Sequence, residues 1–232
     1  MKIALIGYGR MGRMIESLCP DRGHEVALRL DADDNQGQRG IHPASFAGID
    51  VAIDFSVPSE ALPNLRAVVA TGTPMVIGVT GWADHLPEAR HIAEQAGVGV
   101  VWSPNFSVGV NVFARLVAEA ASALASIGGY EAWAHEIHHS KKLDAPSGTL
   151  LMLADRMRAA GWTAAIDTAA SRAGSIPGTH TVGFDSPADT ITLTHTARNR
   201  TGFAEGALLA AEWVVGRKGF FSFEEVLFGA KT

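Results

Sequence analysis

A chain of 232 residues can form one large domain or two modest ones. Its 19 basic and 24 acidic residues leave a net charge of −5, and with no basic run this excludes the electrostatic footprint of a nucleic-acid binder. The single cysteine, Cys19, excludes an intrachain disulfide, and no apolar run reads as long enough to span a membrane, so a soluble protein of the reducing cytoplasm is expected.

Lys2 to Ile6 reads as a buried parallel strand, not a signal peptide, because it runs into Gly7-Tyr8-Gly9-Arg10-Met11-Gly12. A helix follows over Arg13 to Leu18, then a strand over Val26 to Leu30 that ends at Asp31. Strand, glycine turn, helix, strand and an acid 24 residues beyond the first glycine make the dinucleotide-binding context. Gly7 allows the tight turn, Gly9 lets the backbone approach a pyrophosphate, Gly12 permits close helix packing, and Asp31 can accept from the adenosine ribose. Asp31, Asp33 and Asp34 would repel a ribose phosphate, so NADH is expected to be preferred. Arg10, Arg13 or Arg39 could reach round, which leaves use of NADPH open.

After a loop over Gly37 to Phe46, strands are expected at Val51–Phe55, Met75–Val79 and Val98–Trp102, with helices reaching Ala70 and over Leu86–Ala96. This alternation predicts an α/β fold with a Rossmann-type, doubly wound parallel sheet. Ligands of such sheets lie outside the carboxyl ends of the strands. Phe55-Ser56, Gly78-Val79-Thr80 and Ser103-Pro104-Asn105-Phe106 should therefore form a rim.

A long helix over Val108 to Ala125 leads into a second half. Tyr130 to His139 alternates as a strand, with Ala132, Ala134, Glu136 and His138 on one face. The polar loop H-H-S-K-K-L-D-A-P-S-G-T then opens a helix whose inward side is read as Leu150, Leu151, Ala154 and Met157. A helix start with Ser147, Gly148 and Thr149 as donors and Lys142 beside it suits a carboxylate, with a histidine at its lip. Thr181–Phe184 and Thr190–Thr196 read as antiparallel strands with one wet face. His180 and His195 are read as strand residues, because no close ligand spacing supports a metal site. A helix over Phe203–Val215 and the capping-box pattern Ser222-Phe223-Glu224-Glu225 close the chain.

The run His138-His139-Ser140-Lys141-Lys142-Leu143-Asp144-Ala145-Pro146-Ser147-Gly148-Thr149 closely resembles the dihydrodipicolinate reductase (4-hydroxy-tetrahydrodipicolinate reductase) signature, H-H-x-x-K-x-D-A-P-S-G-T. Asp54 to Pro58, Gly78 to Gly81 and Asn105 to Asn111 are similar to further family motifs, in the family order. The resemblance implies a dinucleotide-binding domain over residues 1–106 plus 201–232 and a smaller α+β substrate-binding and oligomerisation domain over 107–200. It implies a homotetramer built through the second domain's sheet. By the same resemblance His138 is the general acid and Lys142 the lysine that binds a carboxylate and polarises the ring. His139, Ser147, Gly148 and Thr149 hold the carboxylates of a small dicarboxylate substrate. Gly78, Thr80, Asn105 and Phe106 line the nicotinamide end, and Arg200 helps close the site. Glu136 is read as orienting a neighbour, and Lys141 as a solvated neighbour.

The implied reaction reduces the cyclic product of dihydrodipicolinate synthase to tetrahydrodipicolinate, on the route to diaminopimelate and lysine. A hydride adds to ring C4 and a proton to C3; a histidine titrating near neutrality can deliver that proton. The chain departs from the family in being short, in a glycine turn one residue tighter than the common form, and in Leu150 where alanine is frequent. Two other readings are another two-domain NAD(P)-dependent dehydrogenase, acting on an amino acid or semialdehyde, and a non-enzymatic dinucleotide sensor. The signature argues against the first, and the absence of a basic or partner segment against the second.

Overall fold

The computed structural model describes residues 1–229. In chain order the elements are β1 (Lys2–Ile6), α1 (Arg10–Leu18), β2 (Glu25–Leu30), β3 (Val51–Asp54), α2 (Pro58–Ala70), β4 (Met75–Ile77), α3 (Leu86–Ala96) and β5 (Gly99–Trp102). There follow α4 (Val108–Ile127), β6 (Glu131–His138), α5 (Gly148–Ala159), β7 (Ile166–Arg172), β8 (Thr179–Asp185) and β9 (Thr190–Thr196). The last are α6 (Thr201–Val214), β10 (Gly219–Ser222) and α7 (Phe223–Phe228). Two compact units result, one from Met1–Val108 with the chain from Thr201 onward, the other from Gly109–Arg200.

The first unit is a six-stranded sheet in the order β10-β5-β4-β3-β1-β2, every pair parallel. Alternate residues of β1 explain its two layers. Ala4 and Ile6 join the core under α2 and α3, while Ile3 and Leu5 join the core under α1 and α6. Both faces are covered, so residues 3–6, 51–53 and 75–77 are apolar without a break, as buried parallel strands must be, while the edge strand β2 keeps Glu25 and Arg29 exposed. β10 escaped the sequence reading. It is four residues at the sheet edge, paired Gly219 to Gly99 through Ser222 to Trp102, too short to show a period. The capping box at Ser222 is present, with Ser222 Oγ accepting from Glu225 N at 3.2 Å.

The second unit is a mixed sheet in the order β7-β6-β8-β9, with β6–β7 parallel and the other pairs antiparallel. Ala132, Ala134, Glu136 and His138 are all buried on one side of β6, as the alternation predicts. α5 buries Leu150, Leu153, Ala154 and Met157. Leu151, expected inward, is 51% exposed, because it stands about 100° round the helix from Leu150, off the stripe that runs on to Leu153, Ala154 and Met157. β7 was not anticipated at all: its residues Asp167 to Ala170 are small or polar, lie exposed at an edge and carry no hydrophobic alternation.

α4 corrects another expectation. Its 20 residues, of hydropathy 1.4, are long and apolar enough by length and composition to cross a membrane. In this fold one side of it packs on the core, Phe113, Ala114, Val117, Ala121 and Leu124 meeting Leu150, Leu153, Val182 and Phe184, while Leu116 and Ile127 are exposed on the other.

Candidate active site

In the first unit the glycine turn connects β1 to α1 at the carboxyl ends of the strands. Gly7 has φ +82°, and a β-carbon there would lie 2.6 Å from the backbone of Phe55 and Ser56, so only glycine fits. Gly12 meets Gly7 O at the same kind of distance, 2.7 Å from any added β-carbon, so it closes the turn itself. Gly9 caps α1, and an added β-carbon would meet nothing. That open side of the turn is where an anion can approach the helix N-terminus. Arg10 is exposed and Met11 half-buried beside it.

A cavity of about 570 Å³ lies alongside, lined by Gly7, Gly9, Asp31, Asn35, Phe55, Ser56 and Glu60 among others. Its lining holds two acids, Asp31 and Glu60, and no lysine or arginine. Arg39 is committed elsewhere, donating to the carbonyls of Asp33 and Asp34, and Arg13 lies over the Tyr8 ring, 5.6 Å from its centroid. The size, the glycine turn and the acid at its lip fit a dinucleotide. One wall is fixed by Asp54, which is fully buried and accepts from Ser56 N at 2.7 Å and Asn64 Nδ2 at 3.1 Å. Burial pushes its carboxyl up to about 6, against those hydrogen bonds.

The rest of the rim is built by short turns. The Phe55 ring covers Gly78, where a β-carbon would fall 2.2 Å from it. Ser103 Oγ donates to Asn105 O at 2.8 Å, and Asn105 Oδ1 accepts from Ser107 N at 2.9 Å, tying down the turn after β5. Thr80 is exposed on this rim. Phe106, expected among the lining residues, has its ring in the core, 4.9 Å from Phe223.

In the second unit the signature loop leaves the end of β6 and enters α5. Ser147 is the N-cap, its Oγ accepting from Leu150 N at 3.2 Å. Its own N–H donates to Glu136 Oε1 at 2.9 Å, and its Oγ lies 3.1 Å from His180 Nε2. Ser147 is therefore buried and occupied with holding the loop to the sheet. Gly148 and Thr149 follow it with first-turn amides that a helix leaves without internal acceptors. His139 is half-buried at the strand end. Lys142 donates to both oxygens of Asp144, at 2.8 and 3.0 Å, and that pairing lowers the Asp144 carboxyl below its ordinary value. Arg200 is exposed in the turn before α6.

His138 sits over a buried network that sequence reading only half found. Its Nδ1 is 3.0 Å from Glu136 Oε2, and its ring centroid 5.1 Å from that of His180. Strand pairing explains the meeting: Glu136 faces His180 across to β8, and His138 faces Arg172 across to β7. Arg172 Nη2 donates to Glu136 Oε1 at 2.8 Å. Burial opposes the charge on Glu136, but the bonds from Ser147 and Arg172 outweigh it and hold the carboxyl below its usual range. Burial lowers the pKa of His138, with Glu136 opposing, and takes His180 down to about 4. Glu136, His138 and His180 place ligand-type atoms within 4.8 Å of one another. Spacing along the chain hid that grouping. Because Arg172 already gives this carboxylate its cation, the cluster reads as an ion-paired carboxylate with two imidazoles packed beside it.

The family model for the dihydrodipicolinate reductase N-terminus matches residues 1–106, and that for its C-terminus matches residues 109–227. The chain belongs to the dihydrodipicolinate reductase family. It is 40% identical to the 4-hydroxy-tetrahydrodipicolinate reductase of Christiangramia forsetii, covering 98% of each chain. It is 35% identical to that of Ralstonia pickettii, covering 98% of this chain and 99% of the relative. A dipicolinate-bound dihydrodipicolinate reductase from Paenisporosarcina sp. TG-14 shares the fold with a TM-score of 0.81 at 21% identity, over 97% of this chain and 99% of that one. Dihydrodipicolinate reductases are NAD(P)H-dependent oxidoreductases of the diaminopimelate route to lysine, and membership makes this chain an enzyme of that class.

Proposed function

We propose that this reductase acts on its cyclic dicarboxylate through the signature loop of the second unit, with His138 as proton donor and NADH as preferred cofactor. The observation that carries the reading is His138 itself: a buried imidazole at the end of β6, beside a loop whose helix start and lysine suit carboxylates. Gly148 and Thr149 offer amide donors to one carboxylate. Lys142, now on Asp144, exchanges that partner for a substrate carboxylate and stabilises charge developing in the ring. His139 stands at the same lip. Ser147 supports the loop from beneath.

The first unit would hold the dinucleotide with its pyrophosphate over Gly7, Gly9, Arg10, Met11 and Gly12 and its ribose at Asp31. Phe55, Ser56, Gly78, Thr80, Ser103 and Asn105 shape the nicotinamide end, with Phe106 supporting them from the core; Arg200 closes over the cofactor. Bound nicotinamide supplies the hydride. The acidic, arginine-free lining of the cavity supports NADH over NADPH. Residues 107–200 are the substrate-binding domain. The threonine-rich face of β8 and β9, where Thr179 pairs with Thr196 and Thr181 with Thr194, is the surface we assign to a homotetramer. We place the enzyme in the cytoplasm with its pathway.

Consumption of NADH that depends on freshly generated dihydrodipicolinate synthase product tests the reaction. His138→Gln should lose turnover while keeping cofactor affinity, and Lys142→Ala should lose both substrate affinity and turnover. Unchanged rates in either variant would refute that assignment.

A further inference from the structure

The mechanism so far leaves Glu136 unused. It is fully buried, and the two sides of its carboxylate are treated unequally. Oε1 accepts from both Ser147 N, at 2.9 Å, and Arg172 Nη2, at 2.8 Å. Oε2 has no hydrogen bond, nor does His138 Nδ1, and these two buried atoms lie 3.0 Å apart, off the line of the N–H bond. A buried carboxylate oxygen without a donor is costly. The neighbours that can supply a proton are His138 Nδ1 and His180 Nε2, the latter at 3.4 Å and closer to Ser147 Oγ, at 3.1 Å. On the opposite edge of the imidazole, Nε2 faces Gly178, where a β-carbon would stand 2.8 Å away. Gly178 is itself buried, and its lack of a side chain is what lets the imidazole edge come this close.

We propose that Glu136 is a positioning residue: it holds the Nδ1 proton of His138 on Oε2, so that Nε2 is the atom that delivers the catalytic proton. The inference rests on His138 being the proton donor. Catalytic hydrogen bonds are often poorly aligned without substrate and tighten in the reacting complex. In the step itself the Nε2–H bond of the imidazolium breaks and its electron pair stays on Nε2. The new C–H bond takes its pair from the electron-rich carbon left by hydride addition. The product is the neutral Nδ1–H tautomer, already hydrogen-bonded to Glu136, and solvent restores the Nε2 proton. Glu136 stays ionised throughout, its charge fixed by Arg172 and Ser147, in the manner of a carboxylate that orients an imidazole. The other charged or titratable groups around His138 are His180 on β8, Arg172 on β7, and Lys142 and Asp144 in the loop.

The test is nitrogen NMR of histidine-labelled enzyme, with the His138 signal assigned by its loss in His138→Gln. Neutral His138 should carry its proton on Nδ1, and Glu136→Gln should reverse or mix the tautomer. Kinetically, Glu136→Gln should lower kcat about tenfold or more with KM little changed, the effect of losing an oriented acid. Removal of the carboxylate should also move the alkaline limb of kcat down by about half a pH unit or more. An Nε2-protonated neutral tautomer in the unsubstituted enzyme overturns the proposal without any variant. So does Glu136→Gln with unchanged limb and turnover. Full activity in His138→Gln would instead remove the proton-donor assignment, while the tautomer measurement would still decide what Glu136 does.

Discussion

Gly178 stands against the imidazole of His138 so closely that a β-carbon would come within 2.8 Å of Nε2, and its φ of +150° is one that side chains rarely adopt. Gly178→Ala should therefore displace the ring. We expect kcat to fall about tenfold or more while the affinity for the nucleotide, which we assign to the other unit, stays unchanged. Steady-state kinetics and NADH binding by fluorescence check this, and full turnover would show that the ring tolerates the methyl.

The pH dependence has a defined sign. A general acid works only while protonated, so with His138 as the proposed donor kcat should fall as pH rises through its pKa. Burial lowers that pKa, with Glu136 opposing, so the fall should begin below the ordinary histidine value of about 6.5. A kcat profile that stays flat to alkaline pH would contradict His138 as donor.

His180 makes a separate contribution to stability. Its folded pKa is depressed to about 4 by burial, so the stability it provides is full above its unfolded value and is lost as pH falls toward 4. The window from about 6.5 to 4 corresponds to about 3 kcal/mol. Thermal melts between pH 7 and pH 4 should show His180→Gln losing less stability than the unsubstituted protein. Equal losses would mean that other groups govern the acid side.

Cofactor choice can be reversed locally. Ala32 lines the cavity beside Asp31. Ala32→Arg would put a cation beside the ribose site proposed at Asp31 and should shift the NADH to NADPH ratio of kcat/KM toward NADPH about tenfold or more. No shift would place the ribose elsewhere.

Gly206 of α6 lies so near Phe106 that a β-carbon would fall 1.8 Å from its carbonyl oxygen. Gly206→Ala must push the helix off the sheet and should cost about 3 kcal/mol or more, read as a lower melting temperature. Phe106 thus matters to the rim by anchoring the Ser103–Ser107 turn to α6.

Much of this was legible beforehand because it is periodic or contiguous. The first five strands, the helices and the signature loop announce themselves over runs of neighbouring residues. The buried network does not. Arg172 lies on an edge strand with no apolar alternation, and His180 is forty-two positions from His138; only the β6–β7 and β6–β8 registers make them neighbours. Leu151 failed for a different reason: five successive apolar residues, Leu150 to Ala154, leave the inward face of α5 ambiguous until packing chooses.

The edge strand β10 also sets the order in which the protein can be made. It pairs with β5 but emerges from the ribosome only after all of the second unit. The second unit is one continuous segment, whereas the sheet of the first unit keeps an unpaired edge at β5 until Gly219–Ser222 emerge. Truncation just before Gly219 would leave His138 and its loop intact in sequence and would deprive the six-stranded sheet of its edge strand β10.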